Sequence, residues 1–160
     1  MKLFLSISFI LILLPSIVVA QDHLSGSVTE AEIREIQIFD LYTNRYKPNT
    51  SAIEELNLVQ DSVLVDVFMG TWCHDSKREV PAFFKVMESI DNSKISAQYT
   101  ALEYRRSGPM DVINKNDIKR TPTFIVYKNG KEIGRIIEEV HKSIEEDLLE
   151  IIKGQGSKKK

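Results

Sequence analysis

A chain of 160 residues with 23 acidic against 21 basic side chains, a formal net charge of −2, has no broad positive field, which argues against nucleic acid as a partner. With 42% apolar residues and one cysteine, it has material for one packed core but cannot close an internal disulfide. Its stability has to come from packing. Residues 1–20 read as a secretory signal peptide: Lys2, an apolar run from Leu3 to Leu14, Pro15, and small residues ending at Ala20. The run is shorter than the roughly twenty residues a spanning helix needs. Cleavage after Ala20 removes Lys2 and leaves about 140 residues of mature chain. The expected destination is the periplasm or cell envelope, with no stable membrane span.

Along the mature chain, residues 21–60 are expected to form an N-terminal helical extension. From Thr29 to about Tyr46 the apolar residues Ile33, Ile36, Ile38, Phe39, Leu41 and Tyr42 recur at roughly helical spacing, and Pro48 ends the run. Ser51 and Glu54 have the form of a capping box, which predicts a short helix to about Leu58. The core, residues 61–153, opens with Val63 to Met69, nearly continuous in hydrophobicity as a central strand covered on both faces would be. Ser76 to Ile90 carries one broad apolar stripe, with Pro81 predicting a kink. A strand follows over Ile95 to Leu102, then a short helix over Met110 to Lys115 and a strand over Phe124 to Tyr127. Asn129-Gly130 predicts a hairpin returning through Glu132 to Ile137. Ser143 opens a closing helix that buries Ile144, Leu148, Ile151 and Ile152, and residues 154–160 read as a flexible basic tail. This order gives an α/β fold: a mixed central β-sheet with helices on both faces.

The segment Gly70-Thr71-Trp72-Cys73-His74-Asp75-Ser76-Lys77-Arg78-Glu79-Val80-Pro81 leaves the C-terminal end of the central strand and enters a helix, where open α/β sheets place their sites. It resembles the thioredoxin superfamily signature Trp-Cys-Gly-Pro-Cys-Lys with a later proline. Trp72, Cys73, Lys77 and Pro81 are in register, and Ser76 stands where the second cysteine belongs. Thr121-Pro122 is similar to that family's cis-proline element, and Asn129-Gly130-Lys131 with Gly134 to its hairpin. The Trp-Cys-x-Asp-Ser-x-x-Glu-Val-Pro string is similar to an exported bacterial thioredoxin-like subgroup.

This resemblance implies a thioredoxin fold with a monothiol site. Cys73 is then the nucleophile, since a helix N-terminus favours the thiolate. Ser76 can donate a hydrogen bond to the sulfur but cannot resolve a mixed disulfide. Trp72, His74, Thr121 and Pro122 line the substrate groove, with Pro122 cis and beside Cys73. The family's buried aspartate position is occupied by Val67, and Asp66, one residue away, points to the opposite face. His74 and Asp75 beside Cys73 do not make a metal site, because neighbours rarely aim at one ion. Cofactors and metals are therefore not expected. Two functions follow. One is a thiol-disulfide oxidoreductase or isomerase acting on protein or small-molecule thiols and disulfides; the other is a redox-inert peptide-binding module with Cys73 idle.

Overall fold

A computed structural model describes residues 23–104 and 109–155; the segment expected to be a signal peptide, residues 1–20, and most of the expected tail lie outside them. The elements are β1 (Gly26–Val28), α1 (Glu30–Arg34), α2 (Gln37–Arg45), α3 (Thr50–Asn57), β2 (Val63–Met69), α4 (His74–Ser89), β3 (Ile95–Ala101), α5 (Met110–Lys115), β4 (Thr123–Lys128), β5 (Lys131–Ile137) and α6 (Ile144–Ile152). They build one five-stranded sheet in the order β1-β3-β2-β4-β5. β2 runs parallel to β3, with Met69 opposite Ala101, and antiparallel to β4, with Phe68 opposite Thr123. This is the mixed sheet expected from the sequence, and its topology is that of the thioredoxin fold.

Strand alternation divides the core in two. On one face Val63, Val65, Val67 and Met69 of β2 pack with Phe39 of α2, Leu56 of α3, Val80, Phe83 and Phe84 of α4, and Ile144 and Leu148 of α6. Phe39, Phe83, Phe84 and Phe124 are all but fully buried. At about 1.5–3 kcal/mol for each large apolar side chain removed from water, this face holds most of the apolar stabilisation. On the other face a smaller cluster gathers Phe68, Leu102, Ile113, Ile118 and Ile125 beneath α5.

Three expectations for the N-terminal extension are corrected. The run from Thr29 to Tyr46 is not one helix: Ile36 is extended (φ −78, ψ 103) and separates α1 from α2. On a continuous helix, positions 33 and 39 would face about 120° apart, yet Ile33 and Phe39 are both fully buried. The break at Ile36 turns both inward. Arg34 holds the two halves by pairing with Glu30 at 3.1 Å, Asp40 at 2.7 Å and Glu88 of α4. The extension also contains β1, which joins the sheet edge antiparallel to β3. Finally, α3 is capped by Asn49, whose Oδ1 accepts the Ser51 and Ala52 N–H groups at 3.0 and 3.3 Å. Asn caps at least as well as Ser, and Asn49 is fixed in place by a second bond.

That bond goes to Glu145, a glutamate in the first turn of α6 that is only 1% exposed. Its Oε1 accepts the Asn49 N–H at 2.7 Å and its Oε2 accepts the Tyr46 hydroxyl at 2.8 Å. Burial and the Glu145 carboxylate together push the Tyr46 phenol above its ordinary range. One buried carboxylate thus ties the extension to the closing helix. Elsewhere the expected signals act as anticipated. Ser143 Oγ accepts the Glu146 N–H at 3.3 Å, and Asn129 and Gly130 both take positive φ in the hairpin turn.

Replacing Glu145 by Ala removes the acceptor of two hydrogen bonds and is expected to lower stability by about 2 kcal/mol, with Tyr46→Phe costing about 1 kcal/mol. Urea denaturation of the double-mutant cycle checks this: the two effects should fall clearly short of additive. Strict additivity would mean that Tyr46 and Glu145 do not share a bond that matters.

Candidate functional site

Between the end of β2 and the start of α4 the chain passes from extended to helical in the turn Gly70–Cys73. The Cys73 N–H donates to the Gly70 carbonyl at 3.0 Å, and the Lys77 N–H donates to the Cys73 carbonyl at 3.1 Å as the first helical bond. Cys73 is therefore the N-cap of α4 (φ −78, ψ 129), and its side chain makes no cap bond. The N–H groups of the first turn of any helix lack intrahelical acceptors, and Cys73 immediately precedes them in the chain.

The thiol is turned away from the helix toward the segment entering β4. Cys73 Sγ lies 3.1 Å from the Thr121 carbonyl oxygen, to which the thiol donates. The Thr121–Pro122 peptide bond is cis, and the Pro122 carbonyl accepts the Glu138 N–H at 2.8 Å. Cys73 is 9% exposed, so a partner has to reach the sulfur through a narrow opening.

Trp72 lies folded over the backbone. Its Nε1–H donates to the Leu102 carbonyl at 2.9 Å, and its ring meets Tyr104 edge-on at 5.4 Å. A Cβ on residue 70 would come within 2.6 Å of the indole, which is why glycine stands there. Ser76 is fully buried. Its Oγ accepts the Gly70 N–H at 3.2 Å; no bond runs from Ser76 to the Cys73 sulfur, whose hydrogen goes to Thr121. His74 is exposed at the first helical position.

The structure thus brings Cys73 to Thr121 and the cis Pro122, lays the neighbouring Trp72 toward Leu102 and Tyr104, leaves His74 exposed beside the cysteine and buries Ser76 against Gly70. Gly70, Leu102 and Tyr104 are parts of this arrangement to which sequence reasoning attached no role. The glycine after the strand was its only visible trace. On α4, Arg78 pairs with Asp75 at 3.2 Å and with Glu79 at 2.6 Å. Burial raises the Glu79 carboxyl above its ordinary range despite Arg78. Among the described residues no group of three His, Cys, Asp or Glu side chains could hold a metal ion. No helix there is long and apolar enough to cross a membrane.

Asp66 stands opposite Ile125 in the sheet, on the face of Phe68 and away from the main core, as strand alternation requires. One carboxylate oxygen, Oδ1, is buried with no hydrogen-bond partner among the described residues, and burial pushes the carboxyl above its usual range.

The turn, the cis peptide and the mixed sheet define a class, the α/β proteins of thioredoxin fold. A thioredoxin family model matches residues 47–153, and the chain belongs to the thioredoxin family. It is similar to Thioredoxin-1 of Saccharomyces cerevisiae, 31% identical over 80 residues that span 50% of this chain and 72% of that one. Thioredoxin of Homo sapiens is 26% identical over 103 residues, spanning 64% and 92%. A crystal structure of a protein of unknown function from Pseudomonas aeruginosa shares the fold at TM-score 0.64 and 14% identity, covering 81% of this chain and 93% of that one.

Because the folded state holds the Asp66 proton to higher pH than the unfolded chain, stability falls as pH rises through and above the ordinary aspartate range. The Asp66→Asn variant should therefore melt at a higher temperature than wild type at pH 7. The difference should shrink as pH drops below that range, and Cys73 alkylation should not change. An altered alkylation rate would tie Asp66 to the site.

Proposed function

We propose that this protein is a monothiol thiol-disulfide oxidoreductase or isomerase of the cell envelope, with Cys73 as its nucleophile. The observation that carries the reading is the placement of the chain's one cysteine at the N-cap of α4, against the carbonyl that precedes a cis-proline. Membership of the thioredoxin family supports thiol-disulfide exchange as the class of chemistry.

In the first step Cys73 loses its proton and attacks one sulfur of a partner disulfide. The Cys73–S bond forms, the partner S–S bond breaks, and the other partner sulfur leaves as a thiolate that takes up a proton. Ser76 carries no sulfur and cannot continue the sequence. Resolution falls to a thiol from outside: one on the partner itself gives isomerisation, whereas two equivalents of an external thiol give net reduction and are themselves oxidised. Trp72, Thr121 and Pro122 line the approach, with His74 at its rim. The envelope location is supported by residues 1–20, and protein recovered from an envelope fraction should begin at or near Gln21.

The near burial of Cys73 favours a second reading, a redox-inert peptide-binding module. Mixed-disulfide formation separates the two. Wild-type protein mixed with disulfide-bearing partners should accumulate covalent adducts when external thiols are scarce. Ser76→Cys should lose those adducts and gain reduction of insulin-type disulfides in the presence of a dithiol, while Cys73→Ser should do neither. Wild type without adducts and an inactive Ser76→Cys would establish the binding module instead.

A further inference from the structure

We infer that Ser76 is a positioning residue: its hydroxyl oxygen holds the Gly70–Cys73 turn closed and thereby fixes the direction in which Cys73 presents its sulfur. Three observations converge on this. Ser76 is fully buried, so its hydroxyl serves nothing at the surface. Its Oγ accepts the N–H of Gly70 at 3.2 Å across the whole turn. The Gly70 carbonyl, on the same residue, accepts the Cys73 N–H at 3.0 Å. Fixing Gly70 through Ser76 therefore fixes Cys73 through Gly70.

The same anchor sets Trp72. The indole occupies the space a Cβ of residue 70 would fill, so movement of the Gly70 backbone would drive it from its bond to the Leu102 carbonyl. Oxygen suits this task better than sulfur, since a hydroxyl is a full acceptor and a thiol a weak one. At this position the chain has exchanged a resolving group for a rigid support. The catalytic meaning of the support rests on the reading of Cys73 as an exchange nucleophile, but the support itself is tested without any disulfide.

The test is carbamidomethylation of Cys73 by iodoacetamide in the mature chain, with Trp72 emission recorded in parallel. Ser76→Ala should free the thiol from its hold against Thr121 and raise the alkylation rate roughly three- to tenfold, the factor expected for one lost hydrogen bond. Trp72 emission should shift to the red as the indole gains water. Glu145→Ala, destabilised at the bonds to Tyr46 and Asn49 and not at the turn, is the control and should alkylate at the wild-type rate. A Ser76→Ala protein that is folded and alkylates like wild type overturns the inference, as does a control accelerated to the same degree. Should Ser76→Ala fail to fold, hydrogen exchange at the Gly70 amide of the wild-type protein decides. Slow exchange supports the bond to Ser76, and exchange at the rate of an open loop refutes it.

Discussion

A strand and a helix cannot be joined abruptly without leaving backbone polar groups stranded in the interior, and the turn after β2 meets that constraint within the chain from Gly70 to Ser76. The Gly70 N–H finds the Ser76 hydroxyl, the Gly70 carbonyl finds the Cys73 N–H, and the Trp72 indole finds the Leu102 carbonyl. A buried donor left without an acceptor costs about 1–3 kcal/mol, so each of these bonds prevents a loss comparable to a sizeable part of a domain's net stability. Thr71, whose buried Oγ1 has no partner among the described residues, is the exception at this point. After these obligations are met His74 stands exposed, Trp72 is half-buried and Cys73 is all but covered.

The two carbonyls that hold Trp72 and Cys73 come from different parts of the chain, and the smaller core keeps them in place. Leu102, at the end of β3, and Ile118, just before Thr121, belong to the same cluster as Phe68 and Ile125. That cluster lies where β2 ends, beneath the turn. Farther along the same face, Ser96 and Gln98 are exposed and Asp66 is only half covered. The second face is thus packed where the site needs rigid walls and left open elsewhere. Stability and positioning are divided accordingly: the face carrying the buried phenylalanines supplies most of the former, and the α5 side supplies the latter.

Elements with strong periodicity were readable from the residues alone. The unbroken apolar run of β2, the stripe along α4, Asn129-Gly130 and Ser143 each express a local rule that the folded chain obeys. What the sequence does not display lies where a distant partner outweighs a local rule. Glu145 stands in a helix first turn, where a carboxylate normally faces water, and is buried because Tyr46 and Asn49, remote in sequence, supply two donors. The break at Ile36 follows from the need to bury both Ile33 and Phe39, which no window of sequence displays. β1, a strand of three residues, is too short to show alternation. At the site, the Cys73 thiol reaches the Thr121 carbonyl before the cis Pro122, while Trp72 turns to Leu102 and Tyr104. The bond expected from Ser76 to the Cys73 sulfur is replaced by one from Gly70, because the path of the turn decides which of the two its oxygen faces.

β1 lies outside the segment shared with the family, which begins at residue 47, and its pairing with β3 changes how the sheet meets other molecules. Without it, the outer edge of β3 from Tyr99 to Ala101 would add its unpaired amides and carbonyls to those of residues 95–98, a longer row open to any passing strand. Such bare edges are templates for intermolecular pairing. With it, the stretch from Tyr99 to Ala101 is paired with a strand of three residues opening on a glycine, and the unpaired border of β3 shortens to residues 95–98. The opposite border, β5, carries Lys131, Glu132 and Arg135 and pairs with β4 through an irregular register at Val126 and Tyr127. Charge and irregularity both discourage further strand addition. The N-terminal extension therefore shortens one open border of the sheet, while charge and irregular register protect the other.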